Sequence, residues 1–211
     1  MSDGVRDWVR DWRHVRTARL LLDLPEERDA DALLAIHADP ASWRHFPSGV
    51  VTDPEAGRTM VRASGRRFER DGLAYWSVRE QVDGAVVGRG GCAVPDEAIE
   101  ADVTGRGWWN LYYRFDQRVL GRGYATEMGT AALEAARAVA QHRPVLAYLV
   151  EHNVASRRTA ERLGLRLVWR GPDADNPDPD VVRLVFLDRE PDDVLVAALA
   201  VEGMPPDGLV G

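Results

Sequence analysis

Residues 118–125 read Arg118-Val119-Leu120-Gly121-Arg122-Gly123-Tyr124-Ala125. Two glycines one residue apart leave the backbone bare between two runs of opposite character. Before them, Trp108 to Phe115 is aromatic-rich, as a strand would be. After them, Tyr124 to Gln141 is rich in Ala, Leu and Glu, with no breaker beyond Gly129, as a helix would be. A glycine turn in that position can aim its N–H groups at a phosphate, and the helix N-terminus behind it adds positive potential. Arg118 and Arg122 can add charge-assisted bonds. The same spacing also serves a tight turn that binds nothing. The dinucleotide fingerprint fails, because Thr126 stands where its third Gly or Ala belongs. No Gly-Lys-Ser/Thr occurs anywhere, so the P-loop fails too.

Working outward, Val145 to Val150 is a β-branched and apolar strand. A second segment follows, Asn153-Val154-Ala155-Ser156-Arg157-Arg158-Thr159-Ala160-Glu161-Arg162-Leu163-Gly164-Leu165. Asn153 and Ser156 are three apart at a helix start, where both can cap backbone N–H groups. Gly164 stops the helix. Strands are expected at 165–169 and 181–187, with a Pro/Asp/Asn loop between, then a partly helical tail at 192–201. Upstream, Arg19 to Leu22 is a first strand. Helices open at Pro25 and at Thr52-Asp53-Pro54-Glu55, the second ending at Asp71-Gly72. Strands at 74–78 and 86–94 are joined by the hairpin signal Asp83-Gly84. Residues 95–107 form an acidic loop. The order is β-α-α-β-β-β-α-β-α-β-β, with no internal repeat.

The chain has 211 residues, enough for one large domain. Its formal charge of −7 excludes generic nucleic-acid binding, which needs a basic footprint, and hints at a cationic or amine substrate. No run approaches the roughly 20 apolar residues of a membrane span, and the first residues hold no apolar leader core. One cysteine and five histidines offer neither an internal disulfide nor a compact metal-ligand cluster, so the expectation is a cytoplasmic protein without a metal.

Taken together, the glycine segment and the Asn153 segment resemble the GNAT N-acetyltransferase superfamily. Arg118, Gly121 and Gly123 match its acyl-CoA pyrophosphate loop, Gln/Arg-x-x-Gly-x-Gly/Ala. Asn153, Ser156 and Leu163-Gly164-Leu165 resemble the Asn-x-x-Ser…Leu-Gly-Phe helix of its ribosomal-protein N-terminal acetyltransferase-like (RimJ/RimL-type) branch, with Leu165 replacing the usual Phe. Thr17 to Leu22, Asp39-Pro40, Phe46-Pro47 and Gly123-Tyr124-Ala125-Thr126-Glu127 are also similar to that branch. The likeness covers about residues 16–188, leaving 1–15 as an N-terminal arm and 189–211 as a C-terminal tail.

The resemblance implies an α/β (α+β) domain with a mixed, mostly antiparallel seven-stranded sheet, flanked by helices and containing a splayed strand pair. It implies acetyl-CoA as cosubstrate and direct attack by an amine acceptor in a ternary complex. The pantetheine arm would bond the strand around Tyr113, Arg114 and Phe115. The phosphates would meet Arg118, Val119, Leu120, Gly121, Arg122, Gly123, Tyr124, Ala125 and Thr126, with Asn153, Ser156 and Arg158 completing the cofactor set. Ser156 is the candidate proton donor to the departing thiolate. Asn110 stands where relatives often carry a glutamate, and an amide cannot take a proton, so Glu151, His152 or a water chain are the candidate bases. Trp43, His45, Phe46 and Trp109 are candidate acceptor contacts. Homodimers are common in the family, so a homodimer is a candidate state. The rival readings are an acyl-CoA-binding regulatory module without turnover and a generic phosphate-ligand binder that prefers ATP or NAD.

Overall fold

The computed structural model describes residues 10–96, 98 and 107–210. Residues 1–9 of the arm and most of 95–107, expected as a loop, lie outside them; Asp96 and Ala98 are helical. The strands are β1 (His14–Arg16), β2 (Leu20–Asp23), β3 (Trp76–Glu80), β4 (Val86–Ala93), β5 (Trp109–Phe115), β6 (Val145–Val150), β7 (Arg166–Pro172) and β8 (Val182–Leu187). The helices are α1 (Ala30–Ala38), α2 (Ala56–Asp71), α3 (Tyr124–Ala140), α4 (Val154–Arg162) and α5 (Asp193–Val201).

All eight strands form one sheet in the order β1-β2-β3-β4-β5-β6-β8-β7. Seven strands were expected. The extra one is β1, which pairs with β2 from His14↔Asp23 to Arg16↔Leu21. Its three residues are too few to show an alternating pattern, which hid it in the charged arm. The end of that arm also joins the core: Trp12 is buried, and its carbonyl accepts the indole N–H of Trp76 at 2.8 Å. The tail is anchored as well. Val210 donates to Val168, Trp169 donates to Pro205 at 2.7 Å, and Met204 is buried.

Every neighbouring pair is antiparallel except β5–β6, which is parallel. That pair holds register only at Trp109↔Val145 and Asn110↔Leu146. Beyond it β5 stays with β4 to Gly88↔Phe115, while β6 stays with β8 to Val150↔Arg183. The sheet therefore splits into two leaves from Asn110 onward, which is the splayed pair.

Because side chains alternate along β5, its two faces meet different helices. On one face α3 lies close, through small residues: Ala132, Ala135 and Ala136 are buried, and a Cβ on Gly90 would strike the Met128 methyl at 2.7 Å. Leu163, which caps the end of α4, packs onto Gly129 so tightly that a Cβ there would lie 2.6 Å from it. On the other face α1 packs over β4 and β5, with α2 beside it. Cys92 is fully buried in the core, and burial pushes its thiol pKa up, which leaves it unreactive.

Candidate functional site

A cleft of about 710 Å³ opens where β5 and β6 part. One wall is the glycine turn and α4. The other is the segment after α1, from Ala41 to Phe46, facing the outer side of β5.

The glycine wall is held by a carboxylate. Glu127, on the first turn of α3, accepts from the Thr17 hydroxyl at 2.6 Å, from the Arg19 amide at 2.7 Å and from Arg19 Nε at 2.7 Å. Burial pushes its pKa up, but those bonds outweigh it and hold the carboxyl below its ordinary range. Arg19 Nη1 also donates to the Arg122 carbonyl at 2.8 Å and its guanidinium lies over the Tyr124 ring. The turn between β1 and β2 thus clamps the glycine turn in place. Gly121 and Gly123 take φ of +77° and +79°, a conformation L side chains rarely adopt. No described residue accepts the amides of Gly121, Gly123, Tyr124 or Ala125, so four N–H groups stand open at the start of a 17-residue helix.

The arginines sort differently from the expectation. Arg118 is held by Asp116 at 2.9 Å and Arg122 by Glu80 at 3.1 Å, so both cations are already answered by carboxylates. The Tyr124 hydroxyl also donates to Glu80 at 2.6 Å, which turns its ring away from the turn and leaves its amide for a ligand. On α4, Arg158 and Arg162 both line the cleft, one helical turn apart, with no carboxylate partner among the described residues. Arg162 was not among the expected residues, although its i+4 spacing from Arg158 could have singled it out.

Asn153 caps α4 by accepting from the Ser156 amide at 3.1 Å. The Ser156 side chain is not a second cap. Its hydroxyl stands near the Tyr113 phenol, as does that of Thr159. Burial raises the Tyr113 pKa above the ordinary tyrosine value, keeping it protonated. Tyr113 and Ser156 therefore sit together on the α4 side of β5, both lining the cleft.

The opposite face of β5 presents Asn110, Tyr112 and Arg114. The Asn110 amide donates to the Tyr75 hydroxyl at 2.9 Å. His37 of α1 is buried, with Nδ1 2.8 Å from the Leu33 carbonyl and Nε2 3.1 Å from the Tyr112 hydroxyl. A carbonyl only accepts, so Nδ1 carries the proton and Nε2 accepts from Tyr112. Burial, helped by the charges of Arg89 and Arg114, lowers the His37 pKa to about 4 and keeps the ring neutral. The Tyr112 oxygen in turn accepts from Arg114 Nε at 3.0 Å. Arg114 also donates to the Ser42 carbonyl, and its guanidinium lies 3.3 Å from the Trp43 ring centroid. Trp43 is fixed from behind by its indole N–H, 2.6 Å from the His37 carbonyl.

Trp43, His45 and Phe46 all line the cleft. Trp109 does not. It is fully buried, its indole N–H reaches toward the Ala140 carbonyl and Arg143 lies over its ring, so it is a core residue behind α3. Glu151 is tied to Arg170 by bonds of 2.8 and 2.9 Å, which hold its carboxyl below the ordinary range. His152 lies at the rim, its ring 5.0 Å from that of His45. His45 Nε2 accepts from Arg44 at 3.0 Å, and burial followed by Arg44 and His152 lowers its pKa. No helix among the described residues is long and apolar enough to cross a membrane.

Comparison with known proteins agrees with this geometry. The family model described as "Acetyltransferase (GNAT) domain" matches residues 19–166. The uncharacterized protein YkkB of Bacillus subtilis (strain 168) is 26% identical over 149 residues, covering 71% of this chain and 83% of that protein. The acetyltransferase of Agrobacterium tumefaciens str. C58 superposes with a TM-score of 0.65 at 22% identity, over 84% of this chain and 94% of that one. RimL, a ribosomal L7/L12 α-N-protein acetyltransferase in complex with coenzyme A, superposes with a TM-score of 0.62 at 19% identity, over 84% and 99% of the two chains. The two solved structures share the fold, and the family match spans the glycine turn, the splayed strands and most of the cleft. The chain therefore belongs to the GNAT acetyltransferase family and is an acetyl-CoA-dependent N-acetyltransferase.

Proposed function

We propose that the protein moves an acetyl group from acetyl-CoA to a primary amine, either a protein N-terminal α-amine or a small-molecule amine, by direct attack in a ternary complex. The observation that carries this reading is the single cleft with two unlike walls. One offers open amides at a helix start with two uncommitted arginines; the other offers aromatic rings and polar side chains. The phosphates would lie on Gly121 to Ala125 and the cations of Arg158 and Arg162, and the pantetheine arm along β5 between the leaves. The thioester carbonyl would face strand amides that stabilise developing negative charge.

The thiolate leaves toward Tyr113 and Ser156. A protonated phenol with a hydroxyl beside it is a suitable proton donor. On the far face Tyr112 orients the amine, while Asn110, bonded to Tyr75, is not among the residues that line the cleft. Asn110 cannot take its proton, Glu151 is engaged by Arg170, and His37 is held neutral as a weak base, so the proton leaves through water. The second reading, an acyl-CoA-binding module without turnover, is favoured by Asn110 alone.

Thermal unfolding with acetyl-CoA, against ATP and NAD, tests the cosubstrate. At a hundred times its dissociation constant a ligand stabilises by about 2.7 kcal/mol, or roughly 5–10 °C at this size. A shift with acetyl-CoA alone, followed by thiol release with a panel of amines, is expected. No shift at saturating acetyl-CoA would sink the transferase reading. A shift without transfer to any amine would favour the binding module.

A further inference from the structure

The charge of the cleft differs in sign from that of the whole chain. The protein carries −7, yet five arginines line the cleft, namely Arg44, Arg114, Arg158, Arg162 and Arg183. The single carboxylate among the described lining residues is Asp173, and Arg183 binds it. Arg158 and Arg162 stand on the phosphate side. Arg114 does not: it lies across the strand, on the Trp43 side.

Arg114 is paired across β4–β5 with Arg89. Directly opposed residues in an antiparallel pair share a face, and like charges so placed repel. No carboxylate relieves them among the described residues. The Arg114 hydrogen bonds go to the Ser42 carbonyl and the Tyr112 hydroxyl. Arg89 is 7% exposed, bonds only the Ser64 hydroxyl at 3.3 Å, and lies over the Tyr75 ring; its Nε has no partner. Both charges bear on His37, which stays neutral and offers no compensation. A buried guanidinium without an anion is costly, and a second, half-buried one on the same face adds to the cost. An anion brought by a ligand would offset both charges.

We propose that the acceptor is an amine that also bears a carboxylate, seated against Arg114 with Arg89 behind it. This rests on the acetyl-transfer reading above and narrows its acceptor. Arg114 Nε lies 3.0 Å from the hydroxyl of Tyr112, the cleft residue assigned to the amine, so the two groups of the acceptor are a few bonds apart, as in an amino acid. A polycation is excluded by the same charges, which reverses the hint given by the net charge.

The test uses glycine, β-alanine, 4-aminobutyrate and phenylalanine, each against its own carboxamide, with spermidine as the polycation. Thiol release is measured with acetyl-CoA, and thermal unfolding is measured for the same amines with the protein held in saturating CoA. The expected result is a preference of roughly ten- to a hundred-fold for at least one carboxylate over its amide. Arg114→Gln should draw that ratio toward one. Arg89→Met should also lower it while raising the melting temperature of the free protein, because an uncompensated buried charge is lost. A purely structural Arg89 would give the opposite temperature change and leave the ratio intact. The proposal is overturned if amides or spermidine match the carboxylates in transfer or stabilisation. It is equally overturned if acetyl-CoA binds but no carboxylate is either acetylated or stabilising. Failure of acetyl-CoA itself to bind is a separate result that removes the transfer reading and this one together.

Discussion

The two walls of the cleft are built by different means. The phosphate wall is built mostly of local motifs: Gly121 and Gly123 fix the turn and Asn153 caps the neighbouring helix within three residues, with one long-range tie, from Glu127 to the β1–β2 turn. The acceptor wall is assembled at long range. Trp43 arrives from the segment after α1, His37 from α1, and Tyr112 and Arg114 from β5, joined by one chain of contacts. A ligand common to a whole family can be held by a local motif. A ligand particular to one member is held by residues that only the tertiary fold brings together.

The comparison can be broken most easily on the phosphate wall. Gly123→Glu puts a side chain in a left-handed position and a carboxylate at the phosphate turn. Acetyl-CoA affinity should fall by roughly a thousand-fold, about 4 kcal/mol, in a calorimetric titration. Retained affinity would mean that the open amides do not hold the ligand.

On the acceptor wall the corresponding probe is pH. The folded pKa of His37 is lowered to about 4 from an ordinary 6.5, so the unfolded chain binds the extra proton first. His37 thus contributes stability that is fully present above about pH 6.5 and is lost as pH falls toward 4, up to about 3 kcal/mol. Denaturant melts from pH 7 to 4 should show a shallower decline for His37→Gln than for the native protein. Parallel declines would place the titrating group elsewhere.

Smaller effects sharpen the contrast. Arg158→Ala combined with Arg162→Ala should weaken acetyl-CoA roughly ten-fold, about 1.4 kcal/mol, and the loss should shrink as salt is raised. Trp43→Ala removes the ring under Arg114 and should raise the acceptor KM a few-fold, about 1 kcal/mol, without changing acetyl-CoA affinity. If instead Trp43→Ala weakens acetyl-CoA and the α4 arginines set the acceptor KM, the walls have been assigned the wrong way round.

The same division explains what could be read in advance. The glycine turn, the α3 and α4 helices, the Asp83-Gly84 hairpin and the Gly72 stop all rest on residues close in sequence, and each stands where its chemistry places it. Strand β1 was missed because its three residues gain their conformation only from β2. Trp109 was misplaced because alternation along β5 says that neighbours face opposite ways but not which way faces the cleft. Arg114 was read through its backbone, since nothing near it in the sequence announces Arg89 across the ladder or Trp43 at its face. Ser156 reads as a helix cap, and only the tertiary fold shows that it lines the cleft near Tyr113.

The parting of β5 and β6 after Asn110 and Leu146 has a further consequence. A sheet normally has raw edges only at its two outer strands, and those edges are templates for unwanted self-association. This sheet has a third, in its middle, where peptide groups on β5 and β6 face a gap instead of each other. A slender chain with amide groups of its own can bond to such a gap as a surrogate strand. In the proposed reading the pantetheine arm would be such a chain, and its length would make the fold a ruler: with the phosphates held at the glycine turn, the distance to the sulfur would set where along the gap transfer occurs.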